Sequence, residues 1–179
     1  MNPVVIDTNV LLVANGSHET VSGACVLECV SRLQARQKAG VVVIDNAYRI
    51  LSEYQNKTRP NQPKGVGDVF LKWLLQNLAN PARVHQVSIT ETGAKIFAEF
   101  PDAALQSLFD ADDRKFAAVA NAHPDKPPIW QAADSKWLSW WPQLAAQGVA
   151  VDFLCPADAQ GFFRSKFPDE PMPELPGEG

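Results

Sequence analysis

Cysteine is scarce in this sequence. Cys25, Cys29 and Cys155 are odd in number and form no C-x-x-C pair, which argues against both a disulfide framework and a zinc ribbon. Cys25 and Cys29 lie one helical turn apart and read as free thiols on a buried helix face, as suits a reducing cytoplasm. No apolar run approaches the ~18 residues that would span a membrane. Met1-Asn2-Pro3, followed by a short apolar run broken at Asp7, has neither the basic start nor the long apolar stretch of a signal peptide. Positive charge is also lacking. At a net charge of -4 the chain has no global attraction for nucleic acid, so any such binding must use local basic patches helped by bound cations. Nucleophile motifs are missing too: there is no G-x-S-x-G, and His18, His85 and His123 join no serine or cysteine motif. Gly65-Val-Gly67 follows a loop and lacks the third glycine and the lysine of a phosphate-binding loop.

What is present is an apolar content of 46% over 179 residues, enough for one domain with a tail. Pro3-Val4-Val5-Ile6 is a buried strand that delivers Asp7-Thr8-Asn9 at its carboxyl end, where open α/β sheets place their chemistry. A helix is predicted from about Thr20 to Lys38, with Gly40 as its stop, and Val41 to Ile44 forms a second strand ending at Asp45. A helix over about 47–56 carries Glu53. Residues 55–68 hold turn formers with Lys57, Arg59 and Lys64 and read as an exposed basic loop. Further helices are predicted over about 69–78, 91–99, 113–122 and 136–147, with strands over 83–88, 128–130 and 149–154. This alternation predicts an α/β fold: three layers, α/β/α, around a mostly parallel five-stranded sheet. The domain spans 1–156. Residues 157–167, with Phe162, Phe163 and Phe167, form a packing segment, and 168–179 is a Pro- and Glu-rich tail expected to be disordered.

Asp7, Asp45, Asp110, Asp112, Asp113 and Asp134 fall at strand ends or early helix turns. Gathered at one edge, such acids repel and raise one another's pKa unless a cation neutralises them. Mg2+ and Mn2+ prefer oxygen ligands, and divalent cations can assist phosphodiester hydrolysis. Each acid also has an ordinary reading. Asp7 would be a loop acid, Glu53 a solvated face residue, Asp134 an N-cap, and Asp110, Asp112 and Asp113 caps or first-turn acids. Asp113 is preferred over Asp112 because it lies three residues before the apolar Phe116-Ala117-Ala118, and Asp45 reads as a cap for the helix after it. Trp137, Trp140 and Trp141 share a helix face and read as core.

Taken in order, these residues resemble the PIN-domain nucleases, a family that includes toxin ribonucleases of toxin–antitoxin pairs. Val-Val-Ile-Asp7-Thr8-Asn9-Val-Leu-Leu resembles the first motif of that family, and Ile50-Leu51-Ser52-Glu53-Tyr54 the second. Asp113-Arg-Lys-Phe-Ala-Ala-Val-Ala resembles the third, and Ala133-Asp134-Ser135-Lys136-Trp137 the fourth. The resemblance implies a Mg2+- or Mn2+-dependent ribonuclease whose metal is held by Asp7, Glu53, Asp113 and Asp134. Thr8, Asn9, Asp112 and Ser135 would support them, with Lys57, Arg59, Lys64, Arg114, Lys115 and Lys136 as a rim for RNA. An antitoxin protein and a homodimer are compatible partners. Lys136 departs from the pattern, since many relatives carry an acid there; a rival reading is a catalytically weak or silent PIN-fold module that only binds RNA or protein. An aspartyl-phosphate enzyme is disfavoured because Asn9 stands where such a phosphatase needs a second aspartate.

Overall fold

Val4, Val5 and Ile6 are buried on both sides, which is the demand of a central parallel strand. In the computed structural model, which describes residues 2–18 and 20–178, this strand β1 (Pro3–Ile6) lies in the middle of the sheet. The expectation about a leader touches Met1, which lies outside the described residues. β1 pairs in parallel with β2 (Val41–Asp45) through Pro3 opposite Val41, and with β6 (Ile129–Gln131) through Ile6 opposite Trp130. β3 (Val84–Val87) and β7 (Val151–Phe153) complete the order β3-β2-β1-β6-β7. The result is the α/β fold expected, a five-stranded all-parallel sheet flanked by helices. The chain builds β1, β2 and β3 outward to one side, then returns to the other side for β6 and β7. The carboxyl ends of β1 and β6 therefore form the topological switch point, the crevice where such sheets bind ligands.

The helices are α1 (Thr8–Ala14), α2 (Gly23–Ala39), α3 (Arg49–Lys57), α4 (Val66–Gln76), α5 (Ala103–Leu108), α6 (Arg114–Ala122), α7 (Trp137–Ala146) and α8 (Pro156–Lys166). α6 packs on β1, β2 and β6 through Phe116, Ala117, Val119 and Ala120, while α1 packs with α2 and α4. Gly67 permits the last contact, because a Cβ there would collide with the Leu11 carbonyl and the Asn15 side chain. The Gly65–Gly67 pair thus serves close helix packing. Asp45 accepts from the backbone N–H groups of Arg49 and Ile50, each at 3.0 Å, the capping role expected of it.

Several features differ from expectation, α5 among them, since no helix is predicted over its residues. Residues 91–97 form a small antiparallel hairpin, β4 (Glu91–Gly93) with β5 (Ile96–Phe97), instead of the predicted helix. Thr90, Thr92 and Gly93 disfavour a helix, and Phe97 is anchored by both groups of the Gln106 amide, at 2.8 and 3.2 Å. The cysteines also differ. Cys25 and Cys155 are joined in a disulfide across 130 positions, and only Cys29 is free. Both α2 sulfurs lie at the start of α8, Cys25 bonded to Cys155 and Cys29 Sγ at 4.0 Å from Cys155 Sγ, and burial pushes the Cys29 thiol up to about 12. The segment after Phe167 has no helix or strand, yet Met172 and Leu175 lie on Leu138, Ala159 and Phe163, and Trp141 Nε1 donates to the Glu174 carbonyl at 2.9 Å. Gly179, the end of the expected tail, is outside the described residues. Trp137 is fully buried, as core, with Trp140 and Trp141 half-buried. Among the described residues, no helix is long and apolar enough to cross a membrane.

Candidate active site at the switch point

Asp7 sits one residue past β1 and begins α1, a helix that the sequence reading did not assign. Its Oδ1 accepts from the Asn9 N–H at 2.9 Å, a true N-cap, so it has a structural role beside any chemical one. Its Oδ2 accepts from Gln131 Nε2 at 2.6 Å, and Gln131 Oε1 accepts in turn from Asn9 Nδ2 at 2.6 Å. Asn9 Oδ1 then takes the Ala132 N–H at 3.1 Å. These bonds tie the end of β1 to the end of β6 and fix the orientation of the Asp7 carboxyl. Gln131 is a site residue that the sequence reading missed. Its signal lies in the register: Ile6 opposes Trp130, so the next position on β6 adjoins Asp7.

The electrostatics are those of a crowded acid cluster. Burial raises the Asp7 carboxyl to about 7 against the two hydrogen bonds that lower it, and the charges of Asp134 and Glu53 push the same way as burial. Asp113, at the start of α6, has no side-chain capping bond. Burial raises it to about 8, aided by Asp7, Asp134 and Asp110 and opposed by Lys115. Asp134 lies just beyond β6, and its Oδ1 accepts from the Lys136 N–H at 3.1 Å. The structure therefore brings Asp7, Asp113 and Asp134 into one electrostatic unit, with Glu53 beside it.

Glu53 is held differently. It accepts from the Thr8 hydroxyl at 2.5 Å and forms an ion pair with Lys115, which also donates to the Asp112 carbonyl. Asp112 itself is turned away, 71% exposed and paired with Lys95, which holds its carboxyl below the ordinary range. Asp113, and not its neighbour, joins the cluster. The expected cationic rim is redistributed. Lys115 is buried against Glu53 and is no rim residue, because the acid edge requires a local counter-charge. Arg114 is occupied by the Phe109 and Lys95 carbonyls, each at 3.2 Å, and Lys136 pairs with Asp110. Lys57, at the end of α3, and Arg59 and Lys64, on the loop before α4, stay exposed. That loop is wrapped around Asp68, which accepts the N–H groups of Arg59, Lys64 and Gly65. Ser135 is 1% exposed, and its hydroxyl has no hydrogen-bond partner.

The donor set suits a hard cation. It offers carboxylate oxygens and an amide-held Asp7, and burial, with the like charges beside them, raises two of its acids as far as neutrality. Among the described residues, the one group of histidine, cysteine or acid side chains whose ligand atoms all lie within 4.8 Å of one another is Cys25, Cys29 and Cys155. The acids are thus more widely set, an arrangement compatible with an ion that keeps several of its waters. The cysteine trio is not a second such site as it stands, since two of its sulfurs are bonded to each other.

Comparison of the chain with protein-family models, with curated proteins and with solved structures finds no match.

Proposed function

We propose that this protein is a metal-dependent ribonuclease of the PIN type, an endonuclease that hydrolyses RNA phosphodiester bonds. The observation that carries this reading is the pair of buried, under-compensated carboxyls, Asp7 at about 7 and Asp113 at about 8, at the switch point of a parallel sheet. Asp7, Asp113 and Asp134 would hold Mg2+ or Mn2+, with Glu53 next to them. Bound there, the ion would lower the pKa of a water and offset charge on the phosphate. Gln131 and Asn9 aim the Asp7 carboxyl, and Thr8 and Lys115 hold Glu53. Lys57, Arg59 and Lys64 remain free to meet RNA backbone at a distance from the acids. A toxin acting under the control of an antitoxin is the biological setting that the resemblance supports. An RNA substrate would suit a cytoplasmic setting, and the Cys25–Cys155 bridge, at 3% and 4% exposure, is screened from thiols in solution.

The test is Mn2+-dependent cleavage of RNA by the wild-type chain and by Asp7→Asn. Loss of cleavage in the variant, with an unchanged circular dichroism spectrum, is the expected result; equal turnover in the two proteins overturns the proposal. The second reading, a silent module that binds RNA or protein, is favoured by one observation: two lysines already neutralise acids at this edge, Lys115 on Glu53 and Lys136 on Asp110. Calorimetric titration with Mn2+ separates the two readings, because the silent module takes up no ion at the acids.

A further inference from the structure

Next to the acids, and sharing Asn9 and Asp134 with them, lies a cavity of about 340 Å³. Its floor is the turn after β6, with Asp134 and Ser135; one wall is α1 with Asn9, and the other is α8 with Phe162 and Lys166. His18 closes one side, its ring tilted 34° to that of Phe162 at 5.9 Å. Three features of this cavity are unexplained by the fold. The first is a half-buried aromatic ring, Phe162, that faces open space as well as the core. The second is Lys166, an exposed cation that pairs with no acid among the described residues. The third is the Ser135 hydroxyl, buried at 1% exposure and without a partner. A buried hydroxyl left unbonded is destabilising, and because Ser135 lines the cavity, a ligand there would give the hydroxyl, once rotated toward it, the partner it lacks.

An aromatic face, a free cation and a lone hydroxyl donor form the combination that a nucleotide satisfies: stacking for the base, charge for its phosphate, a hydrogen bond for a polar edge. The size fits as well, since the cavity is at the lower end of those that take small ligands. The α8 wall is set before any ligand arrives. The Cys25–Cys155 bond joins it to α2, and Asp158 accepts from the Ser22 N–H at 2.6 Å and the Ser22 hydroxyl at 2.8 Å.

We infer that this cavity binds a single unpaired nucleotide, its base against Phe162, its phosphate at Lys166 and a polar edge of the base on Ser135. As the seat for a nucleotide flanking the bond to be cut, the site rests on the ribonuclease reading; as a nucleotide site, it stands without it. The probes are nucleoside 5′-monophosphates, the matching nucleosides and inorganic phosphate, titrated by NMR into the full chain without added metal. The expected result is monophosphate binding that perturbs residues of α8 and of the turn after β6. Phe162→Leu, which keeps apolar packing but removes the ring, should weaken binding about tenfold or more. Lys166→Gln, an exposed change that leaves the fold alone, should weaken the monophosphate roughly three- to fivefold and reduce its salt dependence, leaving nucleoside affinity unmoved. Absence of binding at millimolar monophosphate overturns the inference. So does inorganic phosphate binding as tightly as the monophosphate, or affinity that neither substitution changes. Because no metal is present, failure here leaves the cleavage assay with Mn2+ free to succeed, and failed cleavage leaves nucleotide binding free to be seen.

Discussion

Asp45 closes β2 and Asp7 stands one residue beyond β1, on strands that pair in parallel, and both side chains are buried. Asp45 receives two backbone N–H groups at the start of α3 and the Arg49 guanidinium at 3.4 Å, so a helix end and a cation answer its charge. Asp7 receives one backbone N–H and one amide, both neutral, and the charges closest in effect are the like-signed Asp134 and Glu53. The same residue type at the same kind of strand end is thus structural in one corner and under-compensated in the next. Burial does not distinguish the two. The sign and number of the partners do, and this is why Asp7 marks a candidate site as well as a cap, while Asp45 marks a cap alone.

The largest effect that separates the two corners should appear in stability. Asp45→Ala strips two buried backbone donors and an ion pair and should cost about 3 kcal/mol in urea unfolding. Asp7→Asn keeps a capping oxygen and removes a poorly solvated charge but loses one acceptor, for Gln131 Nε2, so its cost at pH 8 should be smaller, about 1 kcal/mol. Equal losses in the two variants would break the comparison.

The next effect is one of pH. A carboxyl raised in the folded state keeps its proton there while the unfolded chain has already released its own. Its stabilising contribution is complete below the ordinary value of 3.8 and is lost as pH rises through the folded values. With Asp7 at about 7 and Asp113 at about 8, the metal-free protein should show a falling melting temperature from pH 5 to pH 8.5. Mn2+ should restore it at pH 8.5 and do little at pH 5, where protons already occupy the acids. A flat profile in scanning calorimetry would show that both acids are compensated by something not identified in this site.

The sheet and its productive edge were legible in the sequence because buried parallel strands are short apolar runs, and the runs of β1 and β2 each lead into an aspartate. The carboxylates could be picked out for the same reason. What escaped depends on contacts between distant segments. Gln131 looks like the last residue of a short strand until the pairing of β1 with β6 sets it against Asp7. Lys115 looks like a surface cation beside an apolar helix face until α3 and α6 meet and Glu53 captures it. Cys25 and Cys155 lie 130 positions apart, and spacing over such a distance carries no pairing signal. The hairpin at 91–97 was hidden by apolar residues at helix-like intervals, although its threonines and glycine pointed the other way.

Lys136 stands between the two kinds of corner, and the smallest expected effects belong to it. Its ammonium pairs with Asp110, the main cause of its raised pKa, with Asp134 and Asp113 adding to the shift. Both partners of the pair are nearly half exposed, at 45% and 44%, so Lys136→Ala should alter stability by less than about 1 kcal/mol. Its effect on the acids is more telling. Removing one positive charge from this edge leaves Asp110 unpaired and Asp113 with Lys115 as its remaining lysine neighbour, which moves the edge further from the compensated state of Asp45. Mn2+ affinity in Lys136→Ala should then rise by roughly two- to threefold at low salt and converge on the wild-type value as salt screens the difference. A weaker affinity in the variant would mean that Lys136 positions Asp134 through the turn they share, and would make it part of the scaffold of the site.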